Sequence, residues 1–383
     1  MPHTTIRSRL VVLAAAALLA IPAVAGAQGA YPFKPNPDNQ DLLAYWYPVP
    51  ADSVVMQYSG KTWEFSSMLH VYGAAPEGPF EVTVEARRDK TLLFRRTFKI
   101  VDRKPAEGSF TYSEANGYFR IEAKTDYRPE RPTEIAVAVQ EGKTRRTRTI
   151  PCTYHTIKGT IRDINGRPFR AFLSVGADQF TSSVTVWSDP EGRFSIDLPE
   201  RTYNVFYVDD HTYRVSTLEM WGWHMIVDRD ETFDFVVGNG EVYNLHAWAS
   251  NGGFATYFVY FRPMVLPSLE HPLEKTLLNG REFRVIDVAP RLTPDDVTVR
   301  INGAKVELVS MQEIFETGTP DNALTAMPAY LVQVRRDGVP PNGKITLSVE
   351  YDTKITVNDR PVRVRSVGYT QFYNRFTGLS FYY

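Results

Sequence analysis

Residues 157–210 read as short strands separated by turn formers, and this rhythm constrains the chain more than any other feature. Ile157, Gly159 and Ile161 alternate with Lys158, Thr160 and Arg162, the period of a strand with one buried face. Asp163-Ile164-Asn165-Gly166-Arg167-Pro168 follows. There Gly166 accepts a positive φ without a Cβ clash, and Pro168 fixes its own φ. Residues 169–175 are expected to return as the next strand, and residues 184–187 to form another, stopped by Ser188-Asp189-Pro190-Glu191-Gly192. Phe194, Ile196 and Leu198 alternate, Pro199 breaks the run, and Tyr203, Val205 and Tyr207 alternate again. Such segments bury their apolar faces by packing sheet on sheet.

The order is specific: a strand, D-x-x-G-x-P, a strand, D-x-x-G-x-F, an alternating strand, then a Pro-bounded turn before a Tyr-led strand. It resembles the carboxypeptidase regulatory-like domain, which implies a transthyretin-like β-sandwich of about seven short strands. Asp163, Gly166, Pro168, Asp189, Gly192, Phe194 and Tyr203 carry the resemblance, over about 55 of the 383 residues. Arg201 departs from it, because the family usually places Gly two residues before the Tyr. The resemblance implies a scaffold and no particular chemistry.

A length of 383 residues suggests two to three domains. Hydrophobic residues make up 43 % of the chain, enough for real cores and against global disorder. The 22 Phe, 21 Tyr and 6 Trp favour strands over helices. Residues 1–27 are read as a secretory signal peptide: Arg7 and Arg9, an apolar run over residues 10–20, and Ala25-Gly26-Ala27 before Gln28. Ala23-Val24-Ala25 is a second cleavage candidate. The apolar run is short for a membrane span, so the mature chain is expected to carry no transmembrane segment. Losing Arg7 and Arg9 takes the net charge from −1 to −3, which argues against nucleic acid or an anionic membrane as partner.

Residues 28–44 read as a Pro- and Asn-rich extended leader. Residues 45–152 read as an immunoglobulin-like sandwich, with Ile135, Val137 and Val139 alternating with small residues before a turn at Gln140-Glu141-Gly142-Lys143. Residues 153–238 are the regulatory-like domain, closed by a strand over residues 232–237, and Gly238-Asn239-Gly240 marks the next boundary. Residues 239–383 form a further β unit, with hairpin turns expected at Asn251-Gly252-Gly253, Asn279-Gly280 and Asn302-Gly303. Residues 379–383 suggest a last strand or a docked terminus. Only residues 311–316 suit a helical turn.

Cys152 is the only cysteine, so the cores must hold by packing rather than by a disulfide. His155 lies three residues on, and on a strand that spacing points it to the opposite face, so Cys152 reads as a small buried or linker thiol. His271-Pro272-Leu273-Glu274 has the H-x-x-E spacing of a zinc peptidase, but no later His supplies a third ligand and Pro272 disfavours a helix. Acidic groups at Asp209-Asp210, at Asp228, Asp230, Glu231 and Asp234, and at Asp295-Asp296 lack the spacing of an EF-hand. Arg145, Arg146 and Arg148 read as a solvated strand face, with an anion-binding strip as the alternative.

Trp221-Gly222-Trp223 places two indoles on one strand face. Such a pair either stacks on sugar rings, with Trp248 as a further contributor, or fills a buried cluster between the second and third units. The expected fold class is all-β, with tandem β-sandwich domains: immunoglobulin-like, then carboxypeptidase-regulatory or transthyretin-like, then a further β-sandwich-like unit. The expected function is a secreted, non-catalytic structural or binding module in the periplasm or at a bacterial surface, needing no cofactor or metal. A glycan or another surface protein is the expected partner. The alternatives are a carbohydrate-binding protein using an exposed Trp pair, and a hydrolase with a non-local acid pair.

Overall fold

The computed structural model describes residues 41–49, 55–58, 61–64, 66–126, 130–176, 183–210, 212–249, 255–266, 274–278, 280–285, 289–319, 322–336, 342–357 and 359–375. The expected signal peptide over residues 1–27, the turn expected at Asn251-Gly252-Gly253, His271 and residues 379–383 lie outside them. The fold is all-β, built as tandem sandwiches, and among the described residues the only helical element named is a 3-10 turn at Pro294–Asp296.

The first core lies between two antiparallel sheets. One runs Leu43–Tyr47, Ser67–Ala74, Tyr118–Thr125, Thr111–Ala115; the other runs Thr144–Pro151, Glu134–Glu141, Phe80–Arg88, Thr91–Val101, Lys104–Pro105. Period-two patterning drives it: Ile135, Val137 and Val139 point inward against Val82, Val84, Leu69, Val71 and Phe119. The first strand starts at Leu43, and Leu42 and Ala44 already belong to this core.

In the central core, Tyr154–Asp163 pairs with Arg193–Pro199. Residues 169–175 do not return alongside Tyr154–Asp163 as expected. One bridge, Arg162 to Pro168, closes the turn, and the chain then crosses to the opposite sheet. Pro168 has no N–H with which to extend a ladder. Phe172–Gly176 instead pairs with Val184–Trp187 and Arg201–Asp209. The expected strand over 232–237 is broken into Glu231–Thr232 and Phe235–Val237, both parallel to Tyr154–Asp163. The break fits Gly159: a Cβ there would lie 2.0 Å from Phe233 O, while Asp234 Oδ1 accepts the Thr160 N–H at 2.8 Å.

The third core packs Gly240–Ala249, Thr256–Val265 and Asn322–Arg335 against Arg360–Arg375, Asn342–Val357 and Val297–Ile301. Residues 311–316 are strand, not a helical turn. They lie in Leu308–Thr319, where Met311 pairs with Val332 and Gln312 with Leu331, so cross-strand pairing overrides local preference. Asn302 and Gly303 take φ of 50° and 83° and join Ile301 to Ala304, the two positive-φ positions that a tight hairpin demands. Met220–Val227 of the central core pairs in parallel with Arg360–Arg375, through Gly222 to Tyr369 and Trp223 to Thr370. One eight-stranded sheet therefore runs from the central core into the third.

Candidate functional site

Of the two readings of Trp221 and Trp223, a sugar-stacking surface pair or a buried cluster, their burial matches the second. Trp221 and Trp223 are each 5 % exposed, and their rings stack at 5.1 Å with 17° between planes. Each covers a face of the other. Tyr243, from Gly240–Ala249, stands edge-on to both at 5.4 and 5.2 Å, and the Arg262 guanidinium lies 4.6 Å from the Tyr243 ring centroid. The alternative of an exposed Trp pair is corrected at Trp221 and Trp223 by this burial. The strand that carries them is not an open edge, because Arg201–Asp209 pairs with it on one side and Arg360–Arg375 on the other. Trp248 is at the surface, 45 % exposed, with its ring stacked on Phe258 at 5.9 Å.

Three carboxyl groups gather near the Trp pair, and sequence reasoning missed them as a set. Asp209 ends Arg201–Asp209, Glu219 immediately precedes Met220–Val227, and Glu241 sits in Gly240–Ala249. Burial, then the Glu219 charge, pushes Asp209 up to about 8. Burial pushes Glu219 up to about 7 against the pull of Arg214. Burial, then Glu219, raises Glu241 well above the ordinary range, while the Trp221 indole and Arg262 pull it down. Burial favours the protonated form of each of the three. Glu241 is only 3 % exposed, so a substrate has no access to it as one of an acid pair. The only sequence signal was a carboxylate set among apolar neighbours: Glu219 between Leu218 and Met220, and Glu241 beside Val242.

The remaining candidates are engaged in structure. Asp228 and Glu231 bind Lys344, Asp230 Oδ1 accepts the Thr156 N–H, and Asp296 Oδ2 accepts from Thr293. Asp210 Oδ1 accepts from Thr212 and Thr217. Among the described residues no group of three or more His, Cys, Asp or Glu is placed to hold a metal ion. Arg146 and Arg148 donate to the carbonyls of Ala74 and Leu42, tying this sheet edge to the end of Ser67–Ala74 and to the residue before Leu43–Tyr47. Burial, then Glu134, pushes the Cys152 thiol up to about 12, the profile of an inert side chain. Glu274 lies at the start of the strand Glu274–Leu278.

The junctions between cores are built from specific bonds. Between the first and central cores, Tyr154 Oη donates to Trp46 O at 2.8 Å and Arg201 Nη1 donates to Tyr47 Oη at 2.8 Å. Tyr47, which ends the first strand, and Val49, just after it, pack into the central core. Between the central and third cores, Asn239 donates to Arg363 O and accepts from Arg365 N, both at 2.9 Å. Gly238 and Gly240 flank it because nothing larger fits. A Cβ on Gly238 would lie 2.1 Å from Arg365 O, and one on Gly240 would lie 2.0 Å from Tyr351 Oη. Lys344, its side chain 5 % exposed, reaches across to Asp228 Oδ1 and Glu231 Oε2, each at 2.8 Å, and to Ile226 O at 3.1 Å.

No family model and no curated protein matches this sequence. Among solved structures, the major pilin subunit BcpA of Bacillus cereus aligns at 11 % identity over 57 % of this chain and 69 % of its own, with a TM-score of 0.16. The group B streptococcus pilus 2b backbone protein aligns at 10 % identity over 53 % and 88 %, with a TM-score of 0.17. The Bacillus anthracis TIE protein aligns at 9 % identity over 88 % and 73 %, also with a TM-score of 0.17. At these TM-scores the alignments carry no argument about what this chain does.

Proposed function

We propose that the chain is an exported, non-catalytic protein that serves as a stiff structural or binding module in the periplasm or at the cell surface. The observation that carries this reading is the construction of the two junctions. Arg201 and Tyr154 tie the first core to the central one, and a shared sheet with Asn239 and Lys344 ties the central core to the third. Interfaces between domains normally permit relative motion unless they are large and hydrophobic, and Val205, Trp221 and Trp223 share one apolar core with Val242, Tyr257 and Tyr351. A central unit of the carboxypeptidase regulatory-like type suits a scaffold role. Its two D-x-x-G turns use one device: Asp163 Oδ1 accepts from Asn165 and Arg167, and Asp189 Oδ1 accepts from Glu191 and Arg193. Export rests on the pattern of residues 1–27.

Two measurements test the proposal. Nitroxide labels in the first and third cores, on a Cys152→Ser background, are expected to give one narrow distance distribution; a broad one overturns the stiff module. Expression of the whole chain is expected to yield a product starting at Gln28 outside the cytoplasm; an unprocessed cytoplasmic product overturns export.

A second reading, glycan binding, has one observation in its favour: Trp248 presents an exposed ring backed by Phe258. A saturable fluorescence shift with a glycan, lost in Trp248→Ala, supports it, and no shift across a glycan panel removes it.

A further inference from the structure

His224 and His246 come from different sheets and face each other. His224 lies on Met220–Val227 and His246 on Gly240–Ala249. Both strands are locally distorted at this point. His224 has φ of 54°, Asn244 has φ of 54°, and the pairing of Gly240–Ala249 shifts register between Tyr243 and His246. Positive φ is unusual for a residue with a side chain, and such distortions re-aim side chains and collect at functional sites. Here the result is His224 Nε2 at 3.2 Å from His246 Nδ1, with ring centroids 4.9 Å apart.

Asn244 sets the chemistry of this contact. The far nitrogen of His246, Nε2, lies 2.8 Å from Asn244 Oδ1. An amide oxygen only accepts, so Nε2 carries the proton and Nδ1 is left with a lone pair aimed at His224. A second group that accepts from the distal N–H and fixes the tautomer is the usual support of a metal-binding imidazole. A neutral imidazole is the form that donates to a metal. Both residues are half-buried, so neither is sealed from solvent.

The separation also fits. Two ligand nitrogens about 2.0–2.1 Å from a tetrahedral ion are roughly 3.4 Å apart, close to the 3.2 Å found here. We propose that His224 and His246 form a two-nitrogen site for a divalent transition metal, Zn²⁺ or Cu²⁺, at the junction of the central and third cores. Without metal, His224 Nε2–H donates to His246 Nδ1. On binding, His224 shifts its proton to Nδ1, both facing nitrogens present lone pairs, and no net proton is released. Imidazole nitrogen selects such ions over Ca²⁺ and Mg²⁺, which prefer oxygen. Solvent completes the coordination, consistent with a ligand set of two side chains. The metal would cross-link two sheets that the Trp221, Trp223 and Tyr243 cluster already holds together.

The test uses the whole chain without a histidine tag. Calorimetric titration with Zn²⁺ and with Cu²⁺ at pH 7.4 is expected to show one equivalent bound, and the Cu²⁺ resonance spectrum is expected to carry hyperfine structure from two nitrogens. His224→Gln and His246→Gln should each lose the site. His155→Gln, whose ring faces Glu200 instead, should retain it. Asn244→Gly keeps both imidazoles, tolerates the positive φ, and should weaken binding by about tenfold through loss of tautomer control. Circular dichroism confirms that each variant is folded. Binding by both His→Gln variants equal to that of the unaltered chain, or no binding by the unaltered chain, overturns the site.

Discussion

The Arg201 guanidinium lies 4.2 Å from the centroid of the Tyr45 ring and donates to Tyr47 Oη at 2.8 Å. Arg201 is the position at which the sequence leaves the pattern of the carboxypeptidase regulatory-like domain. Here that position faces the first core, and a long donor placed there reaches the aromatic residues of Leu43–Tyr47. Arg201→Gly would restore the pattern and remove the contact. It is expected to cost about 1–3 kcal/mol, the range for a hydrogen bond to a charged group with a stacked guanidinium. Calorimetry is expected to show the transition of the first core separating from the rest, and an unchanged thermogram would remove Arg201 from the junction.

Lys344 makes the corresponding connection on the other side. Its ammonium meets two carboxylates and a carbonyl while nearly buried, so its three donors are all used. Lys344→Met would leave Asp228 with Arg229 and Tyr373 but would strip Glu231 of this partner. Breaking a buried pair by removing one member costs about 3–5 kcal/mol. The partial exposure of Asp228 and Glu231 places the expected loss nearer 2–3 kcal/mol. Urea denaturation reads it as a lower midpoint at constant slope, and a midpoint equal to that of the unaltered chain would mean the contact is idle.

The carboxyl group near the Trp pair makes stability fall as pH rises. Asp209 and Glu219 are raised to about 8 and about 7, above ordinary carboxyl values. The folded chain therefore holds protons that the unfolded chain has released. Their contribution is intact below about pH 4, declines as pH climbs through 5 to 8, and is flat beyond that. His224 and His246 act in the opposite direction. Their lowered pKa values make stability fall as pH drops below about 6.5, where the unfolded rings take up protons first. Asp209→Asn combined with Glu219→Gln is expected to flatten the alkaline limb and to add about 2 kcal/mol at pH 8. A limb as steep as before in thermal melts from pH 5 to 9 would show that other groups titrate there.

The legible and illegible parts of this chain divide by range. Local signals were sufficient for Ile135, Val137 and Val139, for Val184–Trp187, and for the Asn302-Gly303 turn, because period and turn chemistry are written in neighbouring residues. Sheet membership was not. Nothing near Gly222 announces Tyr369 as its partner, and nothing near Pro168 says that the next strand will cross to the opposite sheet. The carboxyl group failed to appear for the same reason: Asp209, Glu219 and Glu241 meet only after three strands have paired. The Trp221 and Trp223 pattern was visible, but a shared strand face is equally a surface or a core until the covering strand is known. Here Tyr243 supplies the cover.

That cover makes the three tryptophans separable by experiment. Trp221 and Trp223 lose stacking, edge contacts and burial together when truncated, and each change to Ala is expected to cost about 3–5 kcal/mol, as for a large aromatic side chain removed from a core. Trp248 keeps one side open to solvent, and its change to Ala is expected to cost less than about 1 kcal/mol, the scale of a surface substitution that loses one ring contact. Chemical denaturation of the three variants measures the difference, with the Trp248 variant near the unaltered chain and the other two far below it. Fluorescence adds an independent check by difference against the unaltered chain, which has six tryptophans: the emission lost with Trp221 or Trp223 should be blue-shifted and shielded from acrylamide, and that lost with Trp248 should be quenchable. Equal costs at all three positions, or quenching of Trp221 and Trp223 in the folded chain, would contradict the burial on which the central-to-third junction rests.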